Sequence, residues 1–201
     1  MNMTEQEIWN YLYGRIKNPC AVAGLMGNLE AESNLEANRK QGDFTTGRSY
    51  SEKYTKAVDS GETAANSFIY DGVGYGLAQW TFWSRKQALL EHAKQCGKSV
   101  GDCEMQLDFL IREFQSDYYG WWQLLLQATN IQDASDIVLY HYEKPANAAA
   151  QSGHRAMYAQ EFYDKYAQTP QKPSEAERCL ADVIGELGIL YQELCKLCLN
   201  Q

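Results

Sequence analysis

The sequence predicts a mainly α (α+β) protein: a helical domain with a small β-hairpin element, then a separate C-terminal helix. Three observations carry that expectation. Apolar residues recur at helical spacing over most of residues 4–166. One glycine-rich stretch, residues 67–80, interrupts them. Thr169-Pro170-Gln171-Lys172-Pro173-Ser174 then reads as a short, stiff linker before a last amphipathic segment.

The first helix follows a possible capping box, Thr4-x-x-Glu7, with Ile8, Tyr11, Leu12 and Ile16 on one face. Asn18-Pro19 ends it and starts a second helix, with Asn as N-cap and Pro in the first turn. That helix runs to about Glu32, and its small residues Ala21, Ala23, Gly24 and Gly27 permit close approach of neighbours. Residues 34–66 are polar and irregular, with a helix over about 50–59. Ser67 to Trp80 alternates weakly and reads as a hairpin or ordered loop rather than a helix. Further helices are expected at 84–95, 104–114, 121–128, 134–142 and 155–166, and Pro145 breaks the pattern around Tyr142 to Asn147. In the tail Ser174-x-x-Glu177 caps a final helix. There Leu180, Ile184, Leu187, Tyr191, Leu194 and Cys198 form a heptad seam of about three repeats, which either docks on the main domain or pairs with a second copy. The expected boundaries are a main domain over 1–168 and a linker plus helix over 169–201.

Composition excludes several classes of function. A chain of 201 residues, 45% apolar, is long enough for one domain with a real core. No run of 18 apolar residues is present, so no membrane span is expected. The acidic, polar start Met1-Asn2-Met3-Thr4-Glu5-Gln6-Glu7 lacks the basic lead and apolar core of a secretory signal. The net charge of −8 denies a nucleic-acid footprint and any long-range pull toward anionic surfaces. Of six cysteines, Cys195 and Cys198 make a lone CxxC without a zinc-spaced second pair. Cys96 and Cys103 could close a small ring, but six reduced thiols are favoured. His92, His141 and His154 form no metal or triad pattern, and Gly74-x-Gly76 lacks the context of a nucleotide loop. No cofactor and no metal are expected.

What remains is carboxylate chemistry. A glycosidic oxygen is a poor leaving group, so its cleavage needs an acid that is protonated near neutral pH, whereas a free glutamate titrates near about 4.3. Apolar surroundings raise that value, and a helix C-terminus disfavours a carboxylate. Glu32 sits at such a helix end; Glu30 and Glu36 fall on other faces or in the loop. A glutamate at a helix end is usually a plain surface group, so the companion segment Gly74-Tyr75-Gly76-Leu77-Ala78-Gln79-Trp80 matters. Its glycines permit tight turns and close approach of a ligand, and the Gln79 amide suits sugar hydroxyls and N-acetyl groups. As second carboxylate, to orient water or stabilise an oxocarbenium ion, Asp71 is best placed, ahead of Asp43 and Asp59.

These residues resemble the lysozyme superfamily, and more closely the phage tail-type lysozymes. The segment from Ala23 to Ser33 looks like that family's catalytic helix with its Glu-Ser end. Gly74 to Thr81, followed by Trp83-Ser84-Arg85-Lys86, looks like its glycine-aromatic segment. Tyr142-Glu143-Lys144-Pro145-Ala146, then His154-Arg155-Ala156 and Tyr163, looks like its C-terminal motif. The first two are also similar to goose-type lysozymes and soluble lytic transglycosylases. The resemblance spans roughly residues 4–168. It implies a lysozyme-like fold and cleavage of the β-1,4 bond between N-acetylmuramic acid and N-acetylglucosamine in bacterial peptidoglycan. Glu32 would be the general acid. Ser33, the Tyr75-Gly76-Leu77 backbone, Gln79 and Trp80 would serve the sugar groove, with Glu143 at its border. No position matches a second catalytic carboxylate.

The expected function is thus a phage-encoded muramidase for host lysis or wall penetration, made in the host cytoplasm and acting at the cell wall. A lytic transglycosylase using the same glutamate, or a non-enzymatic tail or wall-binding protein, are the alternatives. The short tail and the acidic charge depart from relatives that carry wall-binding modules and basic surfaces.

Overall fold

In the computed structural model the described residues are 3–42 and 48–167, with Val183 and Leu187 as isolated helical positions beyond them. By contact the chain divides into Met1–Gln168 and Thr169–Gln201. Asp43 and, apart from exposed Leu187, the heptad seam lie outside the described residues.

The helices are α1 (Glu5–Ile16), α2 (Pro19–Ser33), α3 (Arg48–Ser60), α4 (Ala65–Tyr70), α5 (Trp83–Cys96), α6 (Cys103–Ser116), α7 (Tyr119–Leu126), α8 (Ile131–Val138) and α9 (Ala148–Tyr166). A π-helical turn, Leu139–Glu143, extends α8. No helix among the described residues is long and apolar enough to cross a membrane.

The start signals work as local chemistry dictates. The Thr4 hydroxyl accepts from the Glu7 N–H at 3.3 Å, and the Glu7 carboxylate accepts from the Thr4 N–H at 2.8 Å, completing the capping box. Asn18 Oδ1 accepts from the N–H groups of Cys20 and Ala21. Its Nδ2 donates to the carbonyls of Leu126 and Ala128, so the α2 cap also pins the end of α7.

Helix α2 is the axis of the domain. Every residue from Ala21 to Leu29 is buried, so it is covered on all sides, chiefly by α9, α8 and α1. Its glycines set the approach distances. A Cβ on Gly24 would lie 2.7 Å from the Ala134 carbonyl carbon, and one on Gly27 would lie 2.5 Å from the Arg155 carbonyl oxygen. The buried Asn28 amide donates to the carbonyls of Gly24 and Ser135, tying α8 to α2.

The expected hairpin is replaced by something smaller. Residues 65–70 form α4, and the β element shrinks to two antiparallel bridges, Lys40 with Tyr75 and Tyr75 with Trp80. The reason is tertiary. Phe68 and Ile69, adjacent in sequence, are both buried, which a two-sided strand does not arrange. The Phe68 ring meets Tyr75 edge-on at 5.5 Å. Weak alternation over a glycine-rich window could not reveal that packing.

The tight turn Gly76–Gln79 rests on buried Gln106. This side chain donates to the carbonyls of Ala37 and Val100, both at 2.7 Å, and accepts from the Leu77 N–H at 2.9 Å. Gly76 has φ +79°, and a Cβ there would lie 2.6 Å from Gln106 Oε1, so both backbone and space demand glycine.

Candidate active site

One groove, about 520 Å³, gathers residues from five places in the chain. The end of α2 supplies Glu32, and the following connection supplies Arg39 to Gly42. The tight turn gives Gly74, Ala78 and Gln79; the start of α5 gives Thr81, Phe82 and Arg85. The π-helical turn and its exit give Glu143 and Pro145. The volume is within the range usual for ligand sites.

Glu32 is held from behind by α9. The guanidinium of buried Arg155 donates from Nη2 to Glu32 Oε1 at 2.5 Å. Arg155 is itself fixed: Gln151 accepts from Nε and Nη2, and Asn28 Oδ1 accepts from Nη1 at 3.2 Å. Ser33 is fully buried, and its hydroxyl contacts the carbonyls of Leu29 and Leu77. It therefore clamps the end of α2 to the tight turn rather than facing the groove.

The same division applies to the turn. Tyr75, Leu77 and Trp80 are completely buried. The Tyr75 and Gly76 N–H groups bond the carbonyls of Trp80 and Arg39, and Leu77 N–H bonds Gln106. This backbone is consumed internally and builds the groove from behind. Gln79 does line it, with Nε2 donating to the carbonyls of Gly76 at 2.9 Å and Arg39 at 3.2 Å.

Glu143 also lines the groove, and its environment is unusual. Its Oε1 is buried without a hydrogen-bond partner. Burial, then the nearby Glu32 charge, pushes its carboxyl well above the usual carboxylate range; Arg85 and Arg155 only partly offset this. Its surroundings thus favour the neutral form of the Glu143 carboxyl.

Behind this wall lies a group that sequence reasoning passed over. Buried Glu113 accepts from Arg85 Nε and Nη2 at 2.8 and 2.9 Å, from Trp80 Nε1 at 2.8 Å, and from the Tyr142 hydroxyl at 2.6 Å. It locks together the glycine-aromatic segment, the start of α5 and the residue before Glu143. A signal existed: Glu113 is a charge between Leu110 and Phe114, on the buried face of a helix. Arg85 and Arg155 lay within quoted motifs, but nothing in their spacing told which carboxylates they meet.

Asp71 does not line the groove. Lys86 Nζ donates to it at 2.5 Å, and the Tyr54 hydroxyl and the Val73 N–H donate as well. Burial raises its carboxyl, but these bonds, Lys86 first, outweigh that and hold it below its ordinary value. Lys86 is wholly buried, so Asp71 is the counter-ion that lets it be there. Asp59 accepts from the Ser99 hydroxyl and the Val100 N–H, a loop-anchoring role. Glu36 pairs with Arg39 at 2.9 Å.

Backbone strain concentrates here. Among the described residues, non-glycine positions with positive φ are Lys17, at the end of α1, and Asn34, Leu35, Gln79 and Lys144. Asn34 and Lys144 are likewise helix C-caps, at the ends of α2 and the π-helical turn, whereas Leu35 follows the Asn34 cap and Gln79 lines the groove. Such conformations cost about 1–3 kcal/mol each and persist where surrounding structure enforces them. The described cysteines, Cys20, Cys96 and Cys103, are free thiols, and no cluster of potential metal ligands occurs among the described residues.

No curated protein matches the chain significantly. The family model of the phage tail lysozyme matches residues 3–166, nearly the whole of the unit that carries the groove. The chain thus belongs to the phage tail lysozyme family, lysozyme-like enzymes that act on peptidoglycan.

Proposed function

We propose that this protein is a phage-encoded muramidase, with catalysis assigned to residues 1–168 and Glu32 as general acid on the bond between N-acetylmuramic acid and N-acetylglucosamine. The observation that carries the reading is the placement of two carboxyl groups in different environments in one sugar-sized groove. Glu32 bears the Arg155 guanidinium, whereas half-buried Glu143 has its carboxyl pushed upward by burial and by the Glu32 charge. Glu32 delivers a proton to the glycosidic oxygen as that bond breaks, and the water that adds to the sugar releases one proton, which restores the acid. Gln79 and the Gly74 and Ala78 backbone face the sugar. The enzyme acts at the wall, either from within at lysis or during entry.

One observation favours a second reading. Hydrolysis needs a group to activate water, yet Asp71 is bound to Lys86 outside the groove, and burial shifts the Glu143 carboxyl toward its neutral form. A lytic transglycosylase needs no such base, because the substrate's own hydroxyl attacks after Glu32 accepts its proton.

Purified walls digested by native protein and by Glu32→Gln test both readings. The variant should clear walls about 10²- to 10⁴-fold more slowly, the usual worth of a positioned acid. Clearing at the native rate would remove Glu32 from the chemistry. Mass spectrometry of the products separates the classes: reducing ends mark hydrolysis, and anhydro ends alone mark the transglycosylase.

A further inference from the structure

Trp80, which the sequence placed at the groove, and the ring of Tyr75 beside it are fully buried and cannot meet a ligand. Three other large rings lie open. Tyr70 is 62% exposed, Phe82 61% and Trp83 45%. They come from the last residue of α4 and the first turn of α5, and they touch one another. Tyr70 and Trp83 stack at 6.0 Å with planes 26° apart, and Phe82 and Trp83 lie 6.0 Å apart at 40°. Phe82 belongs to the groove wall that also holds Glu32 and Glu143. The three rings are therefore one apolar surface continuous with the groove.

Contiguous exposed apolar surface on a folded domain marks an interaction site, because burying such rings would otherwise stabilise the protein. Here the burial was forgone at the mouth of a ligand groove.

We propose that Tyr70, Phe82 and Trp83 form an aromatic ledge that carries the glycan strand beyond the cleaved bond by stacking on the apolar faces of its sugar rings. The proposal rests on the glycan-cleaving function above and extends the same site. The ligand class is a β-1,4-linked strand of N-acetylated aminosugars long enough to leave the groove. Aromatic rings offer flat area with little side-chain entropy to lose, which suits a sugar face. A lipid surface fits less well. Lys86, one turn beyond Trp83 on α5, is buried on Asp71, and a net charge of −8 opposes anionic headgroups.

The test uses the full chain and purified sacculi. Tyr70→Ala/Trp83→Ala should raise KM for sacculi about tenfold, one well-packed ring contact, while kcat stays within about twofold. In the Glu32→Gln background the same pair should weaken co-sedimentation with sacculi about tenfold. Trp83→Tyr, which keeps a ring, should hold KM near native. Thermal unfolding of each variant confirms that the fold is intact. If native protein binds and cleaves sacculi and the double variant has the same KM, the ledge is overturned and the function stands. If native protein neither binds nor cleaves sacculi, both fall together. Loss of binding to phosphatidylglycerol vesicles, or of a dimer by light scattering, with unchanged KM would assign the rings to a membrane or a second copy instead.

Discussion

Gly27→Ala is the sharpest perturbation of the link between packing and chemistry. A Cβ there would lie 2.5 Å from the Arg155 carbonyl oxygen, 2.6 Å from the Ala159 nitrogen and 2.8 Å from the Ala159 Cβ. Ordinary contact begins at 3.4 Å, a shortfall of about 0.9 Å. Two of the obstacles are backbone atoms that cannot rotate away, so α9 as a whole must retreat. Overpacking of this kind costs about 1–3 kcal/mol, and the backbone obstacles place it near the upper end. Alanine returns about 0.5–1 kcal/mol of helix propensity. The net loss should be about 2 kcal/mol, or about 4–8 °C in Tm for a chain of this size. Arg155 moves with α9, so its 2.5 Å contact to Glu32 stretches. Wall clearing should fall at least tenfold, since misplacement of about 1 Å can cost 10²-fold. The control is Gly14→Ala in α1, where a Cβ meets nothing within 4 Å. It should gain about 0.5–1 kcal/mol and leave activity alone. Thermal melts and turbidity assays on both variants decide it. A Gly27→Ala protein as stable as the Gly14→Ala protein, or with full clearing activity, would refute the reasoning.

Two further perturbations address the carboxyls. Glu143 keeps its proton in the folded state to higher pH than in the unfolded chain, so its contribution is intact below about pH 4 and is lost as pH rises toward its raised folded value. Glu143→Gln is neutral throughout, so its Tm relative to native should climb between about pH 4 and pH 7. A constant difference in melts across that range would disprove the upward shift of Glu143. Asp71 is depressed on folding, so it stabilises above its ordinary value and that stability is lost as pH falls through the folded one. Asp71→Asn should cost about 2 kcal/mol at neutral pH by stranding Lys86, yet keep clearing activity within about threefold per folded molecule. A hundredfold activity loss in a variant shown by circular dichroism to be folded would return Asp71 to the chemistry.

Local and periodic features were legible in the sequence. The Thr4 capping box, the Asn18-Pro19 junction and the break before Pro145 depend on a few neighbouring residues, and the structure has all three. The small residues of α2 announced close helix packing, because removing a side chain has only a few uses in a helix interior. The motifs containing Glu32, Gln79 and Glu143 were legible as well, and these three residues line one groove.

Contacts between distant segments were not legible. Whether a polar atom in the Tyr75–Leu77 turn faces a ligand or the interior depends on Gln106 and Arg39, remote in sequence. The helix at Ala65–Tyr70 forms because Phe68 finds Tyr75 and Tyr54, not through its own pattern. Asp71 lies next to a motif glycine, but Lys86 takes its charge. Sequence by itself determined the helical domain, the capped starts of α1 and α2 and the carboxyl at the end of α2, since these follow from periodicity and short-range hydrogen bonding, whereas α9 begins at Ala148, seven residues before the expected Arg155. Only the tertiary structure decided which carboxyl burial pushes upward, which aromatics face outward and which cation meets which anion. Burial and Coulomb interaction depend on distance in space, and one chain position carries no record of that distance.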